Sequence, residues 1–162
     1  MVYFYPGTFG KKENENLGKG DISLDVYGWR AASQSFQLIY KDEVAKGIVP
    51  RGTPLVCTYW WGAHVEYYFA RPLNIPMIGL GSLSQIRHYL WMNNLRTHDP
   101  QPRIAYCIMP VDEQYDLPSA FYTNVQMIAT IEVNRMAQPA HNFRVYRLTG
   151  WKNNIPTDPF KK

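Results

Sequence analysis

Only two cysteines, Cys57 and Cys107, occur in 162 residues, so no dense disulfide framework staples this chain, and its fold must rest on a packed core. Both fall in apolar runs expected as strands, where a buried reduced thiol and a bridge between neighbouring strands are the two readings. No run approaches the roughly 20 apolar residues that span a bilayer. Residues 1–10 also lack the basic start and apolar middle of a signal peptide. The chain as it stands is therefore expected to be soluble and to carry no address of its own. Charge is sparse too, at 19% of residues with a net +4. Lys11, Lys12, Lys161 and Lys162 lie towards the ends and the arginines are scattered singly, so no stripe suits a phosphate backbone, and no nucleic-acid partner is expected. A membrane surface remains compatible with a basic domain, at about 1 kcal/mol per nearby cation.

Chemistry-bearing motifs are equally scarce. No His, Cys or carboxylate pair has zinc-ligand spacing, since His64 and Glu66 point to different sides of a helix and His88, His98 and His141 stand alone, so no metal is assigned. No G-x-S-x-G elbow presents a serine nucleophile. Gly79-Leu80-Gly81-Ser82 joins an expected strand to an expected helix, where backbone amides can cradle phosphate. It lacks the third glycine of a dinucleotide fingerprint and the Lys-Ser/Thr of a P-loop, and a tight turn with a serine cap explains it better. No cofactor is expected.

What the chain does have is apolar bulk: 46% of its residues are hydrophobic and 15% aromatic, with 12 Tyr and 5 Trp. That is the balance of one globular domain, its margins wet because tyrosine and tryptophan carry polar edges. Residues 1–20 mix Gly, Lys, Glu and Asn without a period and are expected as an exposed linker or loop. Residues 21–151 are expected as a single α/β domain, and 152–162 as a flexible tail.

Within the domain, Trp29, Ala32, Phe36, Ile39, Tyr40 and Val44 recur at helical steps opposite Arg30, Gln34, Gln37 and Lys41. They predict a helix over 26–46, capped by Asp25 and stopped near Gly47. Short apolar runs at 55–60, 75–80 and 103–109 predict strands, with helices beginning at Gly62 and after Ser82. Residues 112–119 read as loop. Val125, Met127, Ala129, Ile131 and Val133 alternate with polar residues, predicting a strand with one buried face, and a short Ala-Gln-Pro loop leads into a last strand over 141–149. The sum is a small three-layer α/β sandwich: a mixed, mostly parallel five-stranded sheet with a C-terminal antiparallel hairpin.

The candidate ligand-binding edge comprises Tyr59, Trp60, Trp61, His64, Tyr115 and Asp116. The aromatic triplet ends the first expected strand, the usual ligand edge of an open α/β sheet, where rings can stack on sugars. Packing between sheet and helix accounts for at least two of these rings equally well. Asp112, Glu113 and Asp116 form an acidic loop cluster for which a solvated loop is the plainer reading and a glycosidase-like carboxylate pair the sharper one.

Four segments in order, GDISLDVYGW (residues 20–29), TYWWGAHVEYYFARPLNIP (58–76), EQYDLP (113–118) and FRVYRLTGW (143–151), resemble the C-terminal soluble region of bacterial glycosyltransferase family 39 proteins. These are relatives of dolichyl-phosphate-mannose protein mannosyltransferases. The resemblance spans most of the chain. It implies a multi-spanning membrane enzyme that takes sugar from a polyprenyl-phosphate donor on the extracytoplasmic, periplasmic side, with its catalytic acids in a loop of the membrane domain. This chain would then be an accessory domain, partnered by the membrane domain of the same polypeptide and by a glycan or peptide acceptor, without catalytic residues of its own. Asp21, Asp25, Gly28 and Trp29 match the entry to the first helix, and Tyr67, Tyr68, Gln114, Tyr115 and Asp116 match recurring positions. Leu117-Pro118 departs from the family pattern, which often has tryptophan after Tyr-Asp. The alternative is a freestanding carbohydrate-binding or protein-interaction module; a small hydrolase using Asp112 and Asp116 ranks last.

Overall fold

The computed structural model of the chain describes residues 5–57, 61–82, 86, 89–96, 102–111 and 118–152. Its frame is one five-stranded sheet in the order β2-β1-β3-β5-β4, built from β1 (Leu55–Cys57), β2 (Met77–Gly79), β3 (Ile104–Pro110), β4 (Tyr122–Arg135) and β5 (Gln138–Trp151). β1 runs parallel to β2 and to β3, β3 is antiparallel to β5, and β5 is antiparallel to β4. The sheet is therefore mixed, and β5 alone runs against the other four strands.

Each face of the sheet carries a buried apolar cluster. Leu55, Cys57, Tyr106, Ile108, Phe143 and Val145 enter one apolar cluster with the inward side of helix α1 (Trp29–Ala45). Val56, Ile78, Ala105, Cys107, Tyr146 and Leu148 enter a second cluster with Phe121 and Tyr122. That parity decides the cysteine question. Val56 is opposite Cys107 in the β1–β3 register, so Cys57, one residue further on, projects through the other face. Both thiols are reduced and buried, and no bridge can close across the sheet.

Helix α1 buries Trp29, Ala32, Ser33, Phe36, Tyr40 and Glu43, close to the expected apolar side. Its N-cap is Gly28 and not Asp25. A 3-10 turn, Ile22–Leu24, precedes the helix, with Asp21 as its N-cap accepting from the Ser23 N–H and Asp25 as its C-cap. The chain then reverses through Gly28 at φ 86, where a Cβ would sit 2.8 Å from Val133 Cγ1. Only glycine satisfies both demands.

Helical backbone runs from Gly62 to Leu73 in three pieces: α2 (Gly62–His64), a π segment (Val65–Ala70) and α3 (Arg71–Leu73). Pro72 explains the wide middle. It brings no N–H for the Tyr68 carbonyl four residues back, and its ring would press on that carbonyl in an α-helix. The Ser33 hydroxyl of α1 donates to the Tyr68 carbonyl instead, so the orphaned acceptor becomes a tie between helices. Helix α4 (Tyr89–Arg96) closes on the β2 edge.

Two expectations are corrected along β4 and β5. The odd-numbered apolar series does not line one face: Val125 packs in the second cluster, whereas Ile131 and Val133 pack in the first. A register shift between Met127 and Ala129 inserts one unpaired residue. It reverses the alternation, and Met127 is left 55% exposed. The hairpin turn is Met136-Ala137, at φ 51 and 61, and Gln138 and Pro139 already belong to β5. Two-residue turns need positive φ to match strand twist, and here non-glycine residues supply it.

The segment expected as a linker is irregular but tied down. Leu17 is 5% exposed, and the carbonyls of Asn14 and Glu15 accept from Asn142 Nδ2 and an Arg144 guanidinium N–H at 2.5 and 2.9 Å. Its polar side chains face water while its backbone bonds to β5, which is why composition alone read it as loose. Residues 153–162 lie outside the described residues.

Candidate functional site

Tyr59, Trp60, Tyr115 and Asp116, together with Asp112, Glu113 and Gln114, lie outside the described residues. Of the candidate edge, Trp61 and His64 can be placed. Trp61 is 3% exposed and its ring lies 5.4 Å from Trp29, so it fills the interior and offers no face to a sugar. His64 packs 4.9 Å from Trp29, 5.4 Å from Trp61 and 6.2 Å from Tyr68. Burial against these rings holds its pKa below the ordinary 6.5, because the imidazolium loses hydration there.

Trp29 is the centre of this assembly. Phe143 of β5 meets it edge-on at 5.0 Å and Phe69 at 6.2 Å, and the indole N–H donates to the Asp25 carbonyl at 2.8 Å. The rings come from the start of α1, from Trp61 and the Gly62–Leu73 helical run that follows it, and from the last strand. The cluster is thus a joint between three distant parts of the chain.

A second polar centre lies at the hairpin end. Arg135 is 1% exposed; its Nε donates to the Gly7 carbonyl at 2.8 Å, and its terminal nitrogens donate to Ser23 Oγ and Asp21 Oδ2 at 2.9 and 3.1 Å. Burial alone would raise the Asp21 pKa. Hydrogen bonds from the Ser23 hydroxyl, the Phe9 N–H, the Thr8 hydroxyl and the Ser23 N–H outweigh it and hold the carboxyl below its usual 3.8. With the charge compensated and every arm of the guanidinium engaged, this is an anchor and not a vacant catalytic acid. A third network joins Glu43 of α1 to Arg147 at 2.6 Å and to the Tyr106 hydroxyl at 2.5 Å. Burial, then that carboxylate, pushes the Tyr106 phenol up.

No family model, no curated protein and no solved structure matches this chain.

The Gly79-Leu80-Gly81-Ser82 motif is occupied by the protein itself. The Gly79 N–H donates to Asn93 Oδ1 and its carbonyl accepts from Asn93 Nδ2, both at 2.9 Å. A Cβ on Gly79 would fall 2.2 Å from Tyr89 Cβ. The glycine therefore admits helix α4 to the sheet edge, and its amide is spent on a carboxamide, not on a phosphate. His141 is 1% exposed beside Phe143, and among the described residues no three His, Cys, Asp or Glu side chains converge as a metal site.

The structure adds a concavity that the sequence did not signal. A groove of about 660 Å³ opens between the C-terminal half of α1, the turn at Arg51-Gly52 and the end of α3. Tyr40, Val44, Leu73 and Ile75 give it an apolar wall, while Lys41 and Arg51 supply its charge. These residues are far apart in the chain and share no spacing, so no motif announced them.

Proposed function

We infer that this chain is the extracytoplasmic accessory domain of a family 39 membrane glycosyltransferase, which transfers sugar from a polyprenyl-phosphate donor. Its task is to position the acceptor or to support assembly with the membrane domain of the same polypeptide. The observation that carries the reading is the convergence of the resembling segments. Trp29 from the first, Trp61, His64 and Tyr68 from the second and Phe143 from the last pack together. Their shared residues thus act as a joint that fixes a fold, the role expected of a supporting domain whose chemistry resides elsewhere. In this reading the sheet is the middle of three layers, since its second face also carries a buried cluster.

A surface suited to a large partner accompanies the joint. Phe9, Ile22, Val26 and Met136 are 60%, 85%, 77% and 57% exposed. Phe9 and Met136 flank the Arg135 anchor, and Ile22 follows Asp21 in the same network. Exposed apolar residues gathered in this way mark interaction surfaces. No helix among the described residues is long and apolar enough to cross a membrane.

The test is transfer itself. Purified chain given a polyprenyl-phosphate sugar and a peptide or glycan acceptor is expected to turn over nothing, while a longer polypeptide including the membrane domain transfers sugar and loses rate when Phe9 and Ile22 are both replaced by serine. Turnover by the isolated chain would overturn the accessory role. Saturable glycan binding by the chain alone, with no hydrophobic segments encoded alongside it, would favour the freestanding module.

A further inference from the structure

The groove between α1 and α3 has the size of a small-molecule site, within the roughly 300–1,000 Å³ typical of ligand pockets. Its lining is chemically lopsided. Lys41 and Arg51 both face solvent at its rim, and the lining contains no carboxylate to oppose them. The acids nearest in sequence are engaged elsewhere: Asp42 pairs with Lys46 at 2.7 Å, and Glu43 turns inward to Arg147 at 2.6 Å. Among the described residues neither Lys41 nor Arg51 has an ion-pair partner.

Helix carbonyl ends offer the obvious internal counter-charge, because both α1 and α3 finish at this groove. Several of those carbonyls are already capped. The Gly47 N–H donates to Val44, the Asn74 N–H to Arg71 and the Ile75 N–H to Ala70, at 3.1, 3.0 and 3.1 Å. The floor is fixed as well, since the Gly52 N–H donates to the Tyr40 hydroxyl at 2.8 Å, locking the turn that carries Arg51 against the helix that carries Lys41. Two cations without ion-pair partners among the described residues are thus held beside an apolar wall of Val44, Leu73 and Ile75.

We propose that this groove binds a small soluble organic anion, a phosphate or carboxylate carrying a hydrocarbon or aryl group. The anionic head sits between Lys41 and Arg51, where guanidinium and ammonium donors complement it. The apolar body lies along Val44, Leu73 and Ile75, where its hydrocarbon leaves water. Neither half suffices: exposed cations alone hold phosphate weakly in salt, and the apolar wall alone does not select charge. The site stands whether or not the chain serves a glycosyltransferase.

Calorimetric titration of the full chain with octyl phosphate, below its micellar concentration and in low salt, tests the assignment. Saturable one-to-one binding is expected, at least tenfold tighter than inorganic phosphate or neutral octyl glucoside. The Lys41→Gln/Arg51→Gln double variant should lose tenfold or more of that affinity with unchanged circular dichroism and unfolding midpoint, because both side chains face water. A Leu73→Asn variant should narrow the gap between octyl phosphate and inorganic phosphate. The proposal is overturned by absent binding at millimolar octyl phosphate, by equal affinity for octyl glucoside, by an unaffected double variant, or by retention on anionic vesicles without binding of the monomeric amphiphile.

Discussion

Trp29 and His64 show how single residues hold distant segments together. Replacing Trp29 with alanine opens a void among Trp61, Phe69 and Phe143. It should cost about 3–5 kcal/mol, read as a lower urea midpoint. His64 adds a pH dependence whose sign follows from its environment. Burial holds the folded-state pKa below the unfolded 6.5, so between those values the unfolded chain binds more protons, and stability falls as pH drops through that interval. Urea titrations at pH 7.5 and pH 5 should show this loss, and a His64→Gln variant should show less of it; an identical slope in the variant would place the effect elsewhere. Asp21 acts at lower pH. Its depressed pKa stabilises the fold above 3.8, a contribution that disappears as acid protonates the native carboxylate.

At the scale of elements, the bond between Ser33 and the Tyr68 carbonyl couples α1 to the π segment. Ser33→Ala removes the donor that stands in for the N–H that Pro72 lacks and should destabilise the protein by about 1–3 kcal/mol. A Ser33→Ala/Pro72→Ala double variant should recover part of that loss, since residue 72 then offers an N–H again. The hairpin turn invites the opposite experiment. Met136 and Ala137 hold positive φ without being glycine, and Met136→Asn with Ala137→Gly should raise the unfolding midpoint by the equivalent of about 1 kcal/mol.

These same elements separate what the sequence disclosed from what it hid. The period of Trp29, Ala32, Phe36 and Tyr40 disclosed α1 because it reports local geometry. The bulge near Ile128 was invisible, since apolar residues alternate correctly on both sides of it and only pairing with β5 shows that they face opposite clusters. Glu43 reads as one more polar helix residue until Tyr106 and Arg147 supply its partners from two strands. Asn93 is hidden for the same reason, because its carboxamide bonds the sheet edge at Gly79. Of the candidate site, aromatic content at Trp61 and His64 was legible, whereas their interior position depended on Trp29, more than 30 residues away. Lys41 and Arg51 gain meaning only once α1 and the following turn enclose a groove.

For the whole molecule, the sheet is a partition as well as a frame. Cys57 and Cys107 occupy its opposite sides, so air oxidation of the folded protein should leave two titratable thiols, accessible to alkylation only after unfolding. A mass loss of two hydrogens in the native monomer would contradict the strand register. Arg135 performs the complementary task at the margin by tying residues 7, 21 and 23 to the end of β4. Arg135→Met leaves the Asp21 charge buried without its cation and should cost about 3–5 kcal/mol. Hydrogen exchange over residues 5–19 should quicken more than exchange in β1 or β3.

The position of β5 also sets a schedule for synthesis. This strand, the last of the five to be made, is seated between β3 and β4, and it supplies Phe143 to the aromatic joint and bonds to residues 14 and 15. Until it emerges, the strands already made have no bridge to β4, and residues 14 and 15 lack their partners on β5. A nascent chain stopped short of Gln138 should therefore remain protease-sensitive from end to end, acquiring its native shape in a single late step instead of piece by piece.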